Sequence, residues 1–124
     1  MIYTSYIYRS SSISALGITP ISIAQGKPRG LEILCYKDLA PPWSLIKEYK
    51  QTGDKDRYTR LYFEDVLNKL NQFQVIADLI VLADSTDIAL LCYEKPEKFC
   101  HRHLVAKWLN LALPEGTKVK EFEV

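Results

Sequence analysis

The residue types that support chemistry are concentrated in one short stretch, between positions 92 and 103. The stretch holds two cysteines, two glutamates, two lysines, two histidines and one arginine. The candidate site residues among them are Cys92, Glu94, Lys95, Cys100, His101, Arg102 and His103. A cysteine thiolate is a nucleophile and a metal ligand, and a guanidinium binds oxyanions through parallel N–H donors. No other part of the chain combines as many of these side chains.

A strand, a loop and a helix are predicted to position this stretch. Ile88–Cys92 is an apolar run with the length of a buried strand. Pro96 interrupts the run, because proline cannot pair within a sheet and disfavours helical backbone in the residue before it. Apolar residues then recur on one helical face between positions 104 and 112, so that Cys100 opens the first turn of a helix. Ligands of open α/β sheets bind at such a carboxyl end of a strand.

One interpretation is an anion-binding site for a phosphate or a nucleotide. The helix dipole and the unpaired N–H groups of the first turn favour an anion, and Arg102 would supply a planar, charged fork. Lys27 and Arg29 lie in a glycine-flanked loop at positions 25–30. They would join the site if that loop lies beside the central strand.

A second interpretation is covalent or acid–base chemistry, with Cys100 as the nucleophile and His101 or Glu94 as the base. Cys92 and Lys95 are predicted to support this site, since Cys92 and Glu94 are two positions apart and project to the same side of a strand. The chain lacks the six-residue anion loop that Cys-dependent phosphatases place between cysteine and arginine. That class of enzyme is therefore disfavoured.

Two further interpretations stay open. Cys92, Cys100, His101 and His103 are ligand types that suit zinc, but their spacing matches no standard zinc template, so we assign no metal ligand and no cofactor from the sequence. Alternatively the turn is structural, because cysteine is often buried and a buried histidine often bonds to a backbone carbonyl. A Cys92–Cys100 disulfide is geometrically feasible but is disfavoured in a reducing compartment.

Length, composition and charge indicate an ordinary globular domain. The 124 residues can bury a sizeable core, and 48% apolar and 25% charged residues are typical shares. A net charge of +1 excludes a global attraction to nucleic acid, so nucleic acid stays a partner only through a local basic surface. We expect no membrane partner, since no signal peptide or membrane-length segment is visible. Three cysteines without an export signal predict a cytoplasmic location.

The patterns along the chain predict a single α/β domain over residues 1–124. Strands are predicted at positions 2–8, 18–24, 31–36 and 88–92 and near Val119 and Phe122, and helices after Pro41, at 56–70, at 72–82 and after Cys100. Strands, then helices, then a strand–helix–strand unit indicate an α/β class. Because the first strands are typical of a hairpin, we expect a mixed, partly parallel sheet flanked by helices.

Several blocks of the sequence resemble domain-of-unknown-function family 488. They are Gly26-Lys27-Pro28-Arg29, Leu39-Ala40-Pro41, Tyr58 to Tyr62, and Leu91 to Lys95 followed by Cys100-His101-Arg102, and they span about Gly17 to Glu121. The specific part is the Cys, Glu-Lys, Cys-His-Arg constellation. The resemblance implies a small cytoplasmic α/β domain of bacteria, archaea or their viruses, and it supplies no reaction.

These observations lead to one expectation and one alternative. We expect the domain to bind, and in an enzyme also to modify, a small anionic ligand such as a nucleotide or a nucleic-acid end at the Cys-His-Arg helix start. The alternative is a non-enzymatic interaction module with a structural or metal-stabilised Cys/His turn. The sequence leaves open whether the protein is an enzyme.

Overall fold

Five strands and five α-helices make up the part of the chain that the structure, a computed structural model, describes, which is residues 1–26, 28–95 and 98–123. The strands are β1 (Ile2–Tyr6), β2 (Thr19–Ser22), β3 (Leu34–Cys35), β4 (Ile88–Cys92) and β5 (Lys120–Glu121). The α-helices are α1 (Ser10–Ala15), α2 (Trp43–Thr52), α3 (Lys55–Asp65), α4 (Gln72–Leu82) and α5 (His101–Asn110). Within these ranges, no helix is both long and apolar enough to span a lipid bilayer.

The strands form one sheet in the order β3-β2-β4-β1-β5, and every neighbouring pair in it is parallel. The α/β fold predicted from the sequence is confirmed, whereas the expectation of a mixed sheet is wrong for the described strands. β4 lies between β1 and β2, and it pairs Ile88 with Ile2 on one side and with Thr19 on the other. The first two strands form no hairpin, because the chain between them includes α1 and crosses over to a parallel position.

Helices cover both faces of the sheet, and each face has its own apolar core. On one face, α2 to α5 pack against β4 residues Ile88 and Leu90. On the other face, α1 and the chain after β2 pack against Ala89 and Leu91. All five residues of β4 are buried, as expected for a central parallel strand whose successive side chains point to opposite faces.

The longest apolar patterns predicted their elements most accurately. β4 occupies the predicted positions 88–92, and α4 occupies the predicted positions 72–82. α3 ends at Asp65 instead of near position 70, because the chain tightens into a 3₁₀ turn at Leu67–Lys69 that buries Leu67. α1 was not predicted, and its serines instead indicate a polar loop. Most residues of this short helix are serines, which give little helical periodicity.

All five strands end at the same edge of the sheet, called here the carboxyl edge. From the end of β1 the chain runs to β2, which lies on the β3 side of the sheet. From the end of β4 it runs to β5, which forms the opposite edge of the sheet. β1 and β4 lie next to each other and end at the paired residues Tyr6 and Cys92. Their ends therefore form a topological switch point, the place where open α/β sheets bind ligands.

Candidate functional site

The end of β4 and the start of α5 bring Cys92 and Cys100 into contact. Cys92 projects to the same face of the sheet as Leu90, which is the face on which α5 packs. Both cysteines are buried, and the structure joins them by a disulfide with an S–S distance of 1.97 Å. The predicted proximity of Cys92 to the helix start is confirmed. The sequence left this disulfide geometrically feasible but disfavoured it in a reducing compartment, and the bond is present in this structure.

His101 points inward from the first turn of α5 and is buried. Its Nε2 atom lies 2.7 Å from the main-chain oxygen of Ile23, which can only accept a hydrogen bond, so Nε2 carries the proton. The Nδ1 atom is then an unprotonated acceptor 3.7 Å from the Sγ atom of Cys100. Burial, assisted by the nearby charge of Arg102, lowers the pKa of His101 to about 4. The ring is therefore neutral at pH 7.

Arg102 is fully buried and is bound by groups of the same chain. Its Nη2 and Nε atoms donate to the two carboxylate oxygens of Glu121 over 3.0 and 3.2 Å. Its Nη1 atom donates to the main-chain oxygen of Glu94 over 2.5 Å and lies 3.0 Å from Cys92 Sγ. Thr4 donates to Glu121 from β1 over 2.7 Å. The anion that Arg102 binds in this structure is thus the carboxylate of Glu121.

Glu121 was not among the candidates from the sequence. It lies in β5, 19 residues after Arg102, and short-range motifs do not connect the two. A general signal was present, because an arginine on the buried face of a helix requires a carboxylate or carbonyl partner. The sequence offered several acidic residues for that role and did not distinguish among them.

The other predicted site residues lie at the surface or outside the described ranges. Glu94 and Lys95 are exposed residues after β4, and the described bond of Glu94 uses its main-chain oxygen. Arg29 is exposed in the connection between β2 and β3. Lys27 lies outside the described residues. The structure therefore brings Cys92, Cys100, His101 and Arg102 together, with Glu94 joined through its backbone.

His103, which the sequence offered as a possible zinc ligand, is half-buried. Its Nε2 atom is enclosed and has no hydrogen-bond partner among the described residues. Burial lowers the pKa of His103 and the charge of Arg102 lowers it further. His103 is two positions after His101, about 200° further round the helix, so its ring does not join the ligand atoms of Cys92, Cys100 and His101, which lie within 4.8 Å of one another.

Aromatic side chains pack against the start of α5. Phe99 precedes the N-cap, and its ring centroid lies 5.3 Å from that of Tyr49 and 5.3 Å from that of Tyr58. Tyr62 packs edge-on against the imidazole of His101 at 5.7 Å, and its hydroxyl donates to the oxygen of Leu39. This cluster fixes the position at which the chain enters the helix, and hence the position of the Cys100 sulfur.

Two more aromatic residues lie at the carboxyl edge and were not predicted as part of the site. Tyr93 donates from its hydroxyl to the main-chain oxygen of Gly26 over 3.0 Å. A Cβ atom on Gly26 would lie 3.5 Å from the Trp43 ring, so Trp43 flanks the same glycine. The exposed fractions are 62% for Trp43 and 38% for Tyr93, which leaves aromatic surface open to solvent.

Comparison with known proteins identifies a family. A sequence model named DUF488-N3a and described as the active DUF488-N3 subclade matches residues 6–113. This confirms the resemblance inferred from the Cys, Glu-Lys, Cys-His-Arg constellation. Neither a curated protein nor a solved structure matches the chain. The family description states no reaction and no ligand.

Proposed function

This chain belongs to the DUF488-N3a family, and we propose that the domain binds a small anionic ligand, of the nucleotide or nucleic-acid-end class, at the carboxyl edge beside the start of α5. The start of α5 is the observation that carries the proposal. Cys100 is its N-cap residue and makes no side-chain capping bond, and its sulfur touches the end of β4 at the switch point. The N–H groups and the dipole of such a helix start favour an anion.

Exposed cations on two adjoining loops support the same proposal. Lys95 follows β4, Arg29 follows β2, and both residues are exposed. The hydrogen bond between Tyr93 and Gly26 joins these loops. Lys95 comes two positions after Tyr93, and Arg29 comes three positions after Gly26. We assign the direct contacts with the anion to these two side chains. Lys27, outside the described residues, is retained from the sequence as a third contact.

Arg102 has a positioning role in this proposal. Its guanidinium binds Glu121 and the main-chain oxygen of Glu94, so it fixes α5 against β5 and against the loop after β4. The charge of Arg102 is balanced by Glu121, which lies on the same chain. The exposed cations and the helix start therefore attract the anionic ligand.

The aromatic side chains at the carboxyl edge favour a nucleotide over a simple phosphate. Trp43 and Tyr93 flank Gly26 and both retain exposed ring surface. The face of an aromatic ring stacks on a nucleobase, and such stacking is worth about 1–3 kcal/mol per base. A ligand with a base and a phosphate would use both the aromatic and the cationic groups of this edge.

A second candidate function is covalent chemistry at Cys100, which one distance favours. The Nδ1 atom of His101 lies 3.7 Å from Cys100 Sγ, and in the dithiol state it is placed to accept the thiol proton. Glu94 stays the alternative base. The family description calls this subclade active, without naming a reaction. In this candidate the Cys92–Cys100 disulfide is an oxidised form that must be reduced before Cys100 reacts.

Thermal unfolding of the reduced protein tests the binding proposal. A ligand that binds only the folded state raises Tm by mass action. We expect AMP, ATP and a short 5′-phosphorylated oligonucleotide to raise Tm more than inorganic phosphate does, because they add a base. Lys95→Ala and Arg29→Ala should each weaken binding roughly two- to fivefold, as expected for about 0.5–1 kcal/mol from an exposed charge pair.

Lys107→Ala is the matched control for these variants. Lys107 is an exposed lysine near the other end of α5, so its removal changes the net charge by the same amount without touching the carboxyl edge. If Lys107→Ala weakens ligand binding as much as Lys95→Ala and Arg29→Ala do, the loss of affinity is due to net charge and not to contacts at the carboxyl edge. If no member of the panel raises Tm at millimolar concentration, the proposal fails and a non-enzymatic interaction module becomes the better account.

A further inference from the structure

Three buried side chains at the start of α5 form a site of a different kind, which does not depend on the anionic ligand. We infer that, in the reduced protein, Cys92, Cys100 and His101 bind one zinc ion through two thiolates and one imidazole nitrogen. Their ligand atoms all lie within 4.8 Å of one another, and all three residues are buried. Three protein ligands leave a fourth tetrahedral position open, as in catalytic zinc sites.

The backbone spacing of the two cysteines suits a shared ion. Their α-carbons lie 7.2 Å apart, whereas most disulfides span about 4.4–6.8 Å. Two thiolates on a tetrahedral zinc ion lie about 3.8 Å apart, given Zn–S bonds of about 2.3 Å. After reduction, rotation about the Cα–Cβ bonds separates the sulfurs while β4 and α5 stay in place.

The hydrogen bond of His101 supplies independent support. Its Nε2–H donates to the oxygen of Ile23 over 2.7 Å, which leaves the lone pair of Nδ1 directed at the sulfur of Cys100. Metal-binding histidines almost always donate their other ring N–H to a carbonyl or carboxylate in this way, because that bond fixes the tautomer and the ring orientation. A histidine with only a packing role does not require its free nitrogen to face a cysteine.

The charges around the three ligands also balance when the ion is present. Two thiolates neutralise a divalent ion, and the neutral imidazole of His101 adds no charge. Arg102 and Glu121 form an ion pair beside the site, with side-chain atoms 3.0 Å apart. Arg102 Nη1, 3.0 Å from Cys92 Sγ, is placed to donate a hydrogen bond to that thiolate. No uncompensated charge is then buried, which is the condition for a stable buried ion site.

The oxidation state of the cysteines decides whether the ion can bind. Two molecules of a small thiol reduce the Cys92–Cys100 disulfide, giving two protein thiols and one small-molecule disulfide. The ion then binds both sulfurs and releases the two thiol protons, so that two metal–sulfur bonds replace two S–H bonds. In the disulfide form the thiolates are absent, and the oxidised protein should not bind the ion.

Titration of the reduced, full-length chain with Co²⁺ tests this inference without any ligand panel. Co²⁺ reports on zinc-type sites, since thiolate coordination gives charge-transfer absorption in the near ultraviolet and tetrahedral geometry gives intense visible bands. We expect one Co²⁺ per chain, displacement by Zn²⁺, and no such spectrum from the oxidised chain. Cys92→Ser and His101→Ala should each weaken binding at least tenfold. Cys35→Ser, which removes the cysteine outside the site, should leave it unchanged.

A protection measurement keeps the inference testable if a variant does not fold. Zn²⁺ should protect Cys92 and Cys100 of the reduced wild-type chain from alkylation and should leave Cys35 reactive, as read by mass spectrometry of peptides. Equal alkylation of all three cysteines with and without Zn²⁺ would overturn the inference. So would a Co²⁺ spectrum that disappears in Cys35→Ser but persists in Cys92→Ser. Because neither measurement contains an anionic ligand, failure here leaves the proposed anion site standing.

Discussion

Both ends of α5 bury side chains completely, yet by different means. Near the C-terminal end, Leu109 is covered by other apolar side chains of the larger core. In the first turn, His101 and Arg102 are just as enclosed, and each has a specific partner from a distant part of the chain. The partner of His101 is the carbonyl of Ile23, and the partner of Arg102 is the carboxylate of Glu121.

This difference shows which features of the helix depend on the rest of the molecule. Apolar burial is non-directional, and a core accepts side chains of similar volume. A buried polar ring or guanidinium is stable only beside its own partner, because an unpaired group keeps its full desolvation penalty. We therefore expect the end of α5 to respond to volume and its start to respond to changes at residues far along the chain.

A large effect is expected at either end of α5, and in the first turn it follows the loss of the Arg102 charge. Arg102→Ala removes both guanidinium donors of the Glu121 carboxylate, which keeps its hydrogen bond from Thr4, and opens a cavity between α5 and β5. The free energy of unfolding should fall by about 2–4 kcal/mol, somewhat less than for a fully enclosed pair because the Glu121 side chain is 24% exposed. Urea unfolding followed by circular dichroism measures the change.

Leu109→Ala is the matched control at the apolar end, where lost burial and a new cavity should remove about 2–5 kcal/mol. Adding Glu121→Gln distinguishes the two ends. It should restore part of the stability of Arg102→Ala, since a neutral amide is less costly to leave unpaired than a carboxylate. It should further weaken Leu109→Ala, in which Arg102 then loses its partner. If Glu121→Gln changed the free energy of unfolding of Arg102→Ala and of Leu109→Ala by the same amount, the two ends of α5 would not differ in the way described.

A smaller effect is expected from the aromatic cluster beneath the start of α5. Burial raises the pKa of Tyr58 above its usual value of about 10. Folding favours the protonated phenol, so its contribution to stability is complete below about pH 10 and is lost as the pH rises beyond that. Tyr58→Phe should change the free energy of unfolding by less than about 0.5 kcal/mol at pH 7.

The same variant should lose less stability than the wild type above about pH 10, because it has no phenol to ionise at this position. Equilibrium unfolding at neutral and at alkaline pH measures both quantities. An alkaline loss identical to that of the wild type would mean that Tyr58 ionises as readily in the folded chain as in the unfolded one. The start of α5 would then not be sealed from solvent on this side.

Local patterns were sufficient to predict β4, α5 and the contact between them. The apolar run Ile88–Cys92 and the helical spacing after Cys100 are signals that a few neighbouring residues carry. The parallel arrangement of β1 and β2 was not predictable in this way. It depends on β4, which enters between them and is more than sixty positions away along the chain.

Long-range pairing also explains what the sequence did not reveal about the site. The oxyanion partner of Arg102 was predicted to be an external ligand, but Glu121 fills that role when β5 pairs with β1. The spacing of Cys92, Cys100 and His101 matched no zinc template, because a strand end and a helix start bring them together without a short sequence motif. The acid–base role of Glu94 and the anion contacts of Lys27, Arg29 and Lys95 stay predictions.

An NMR titration of the reduced, nitrogen-15-labelled protein with AMP shows directly whether the start of α5 is an anion-binding site. We expect saturable shifts that are largest for the amides of Tyr93 and residues 100–102, with little change at residues 110–117 near the opposite end of α5. Absence of shifts at millimolar AMP, or shifts confined to residues away from the carboxyl edge, would mean that the start of α5 does not bind the nucleotide.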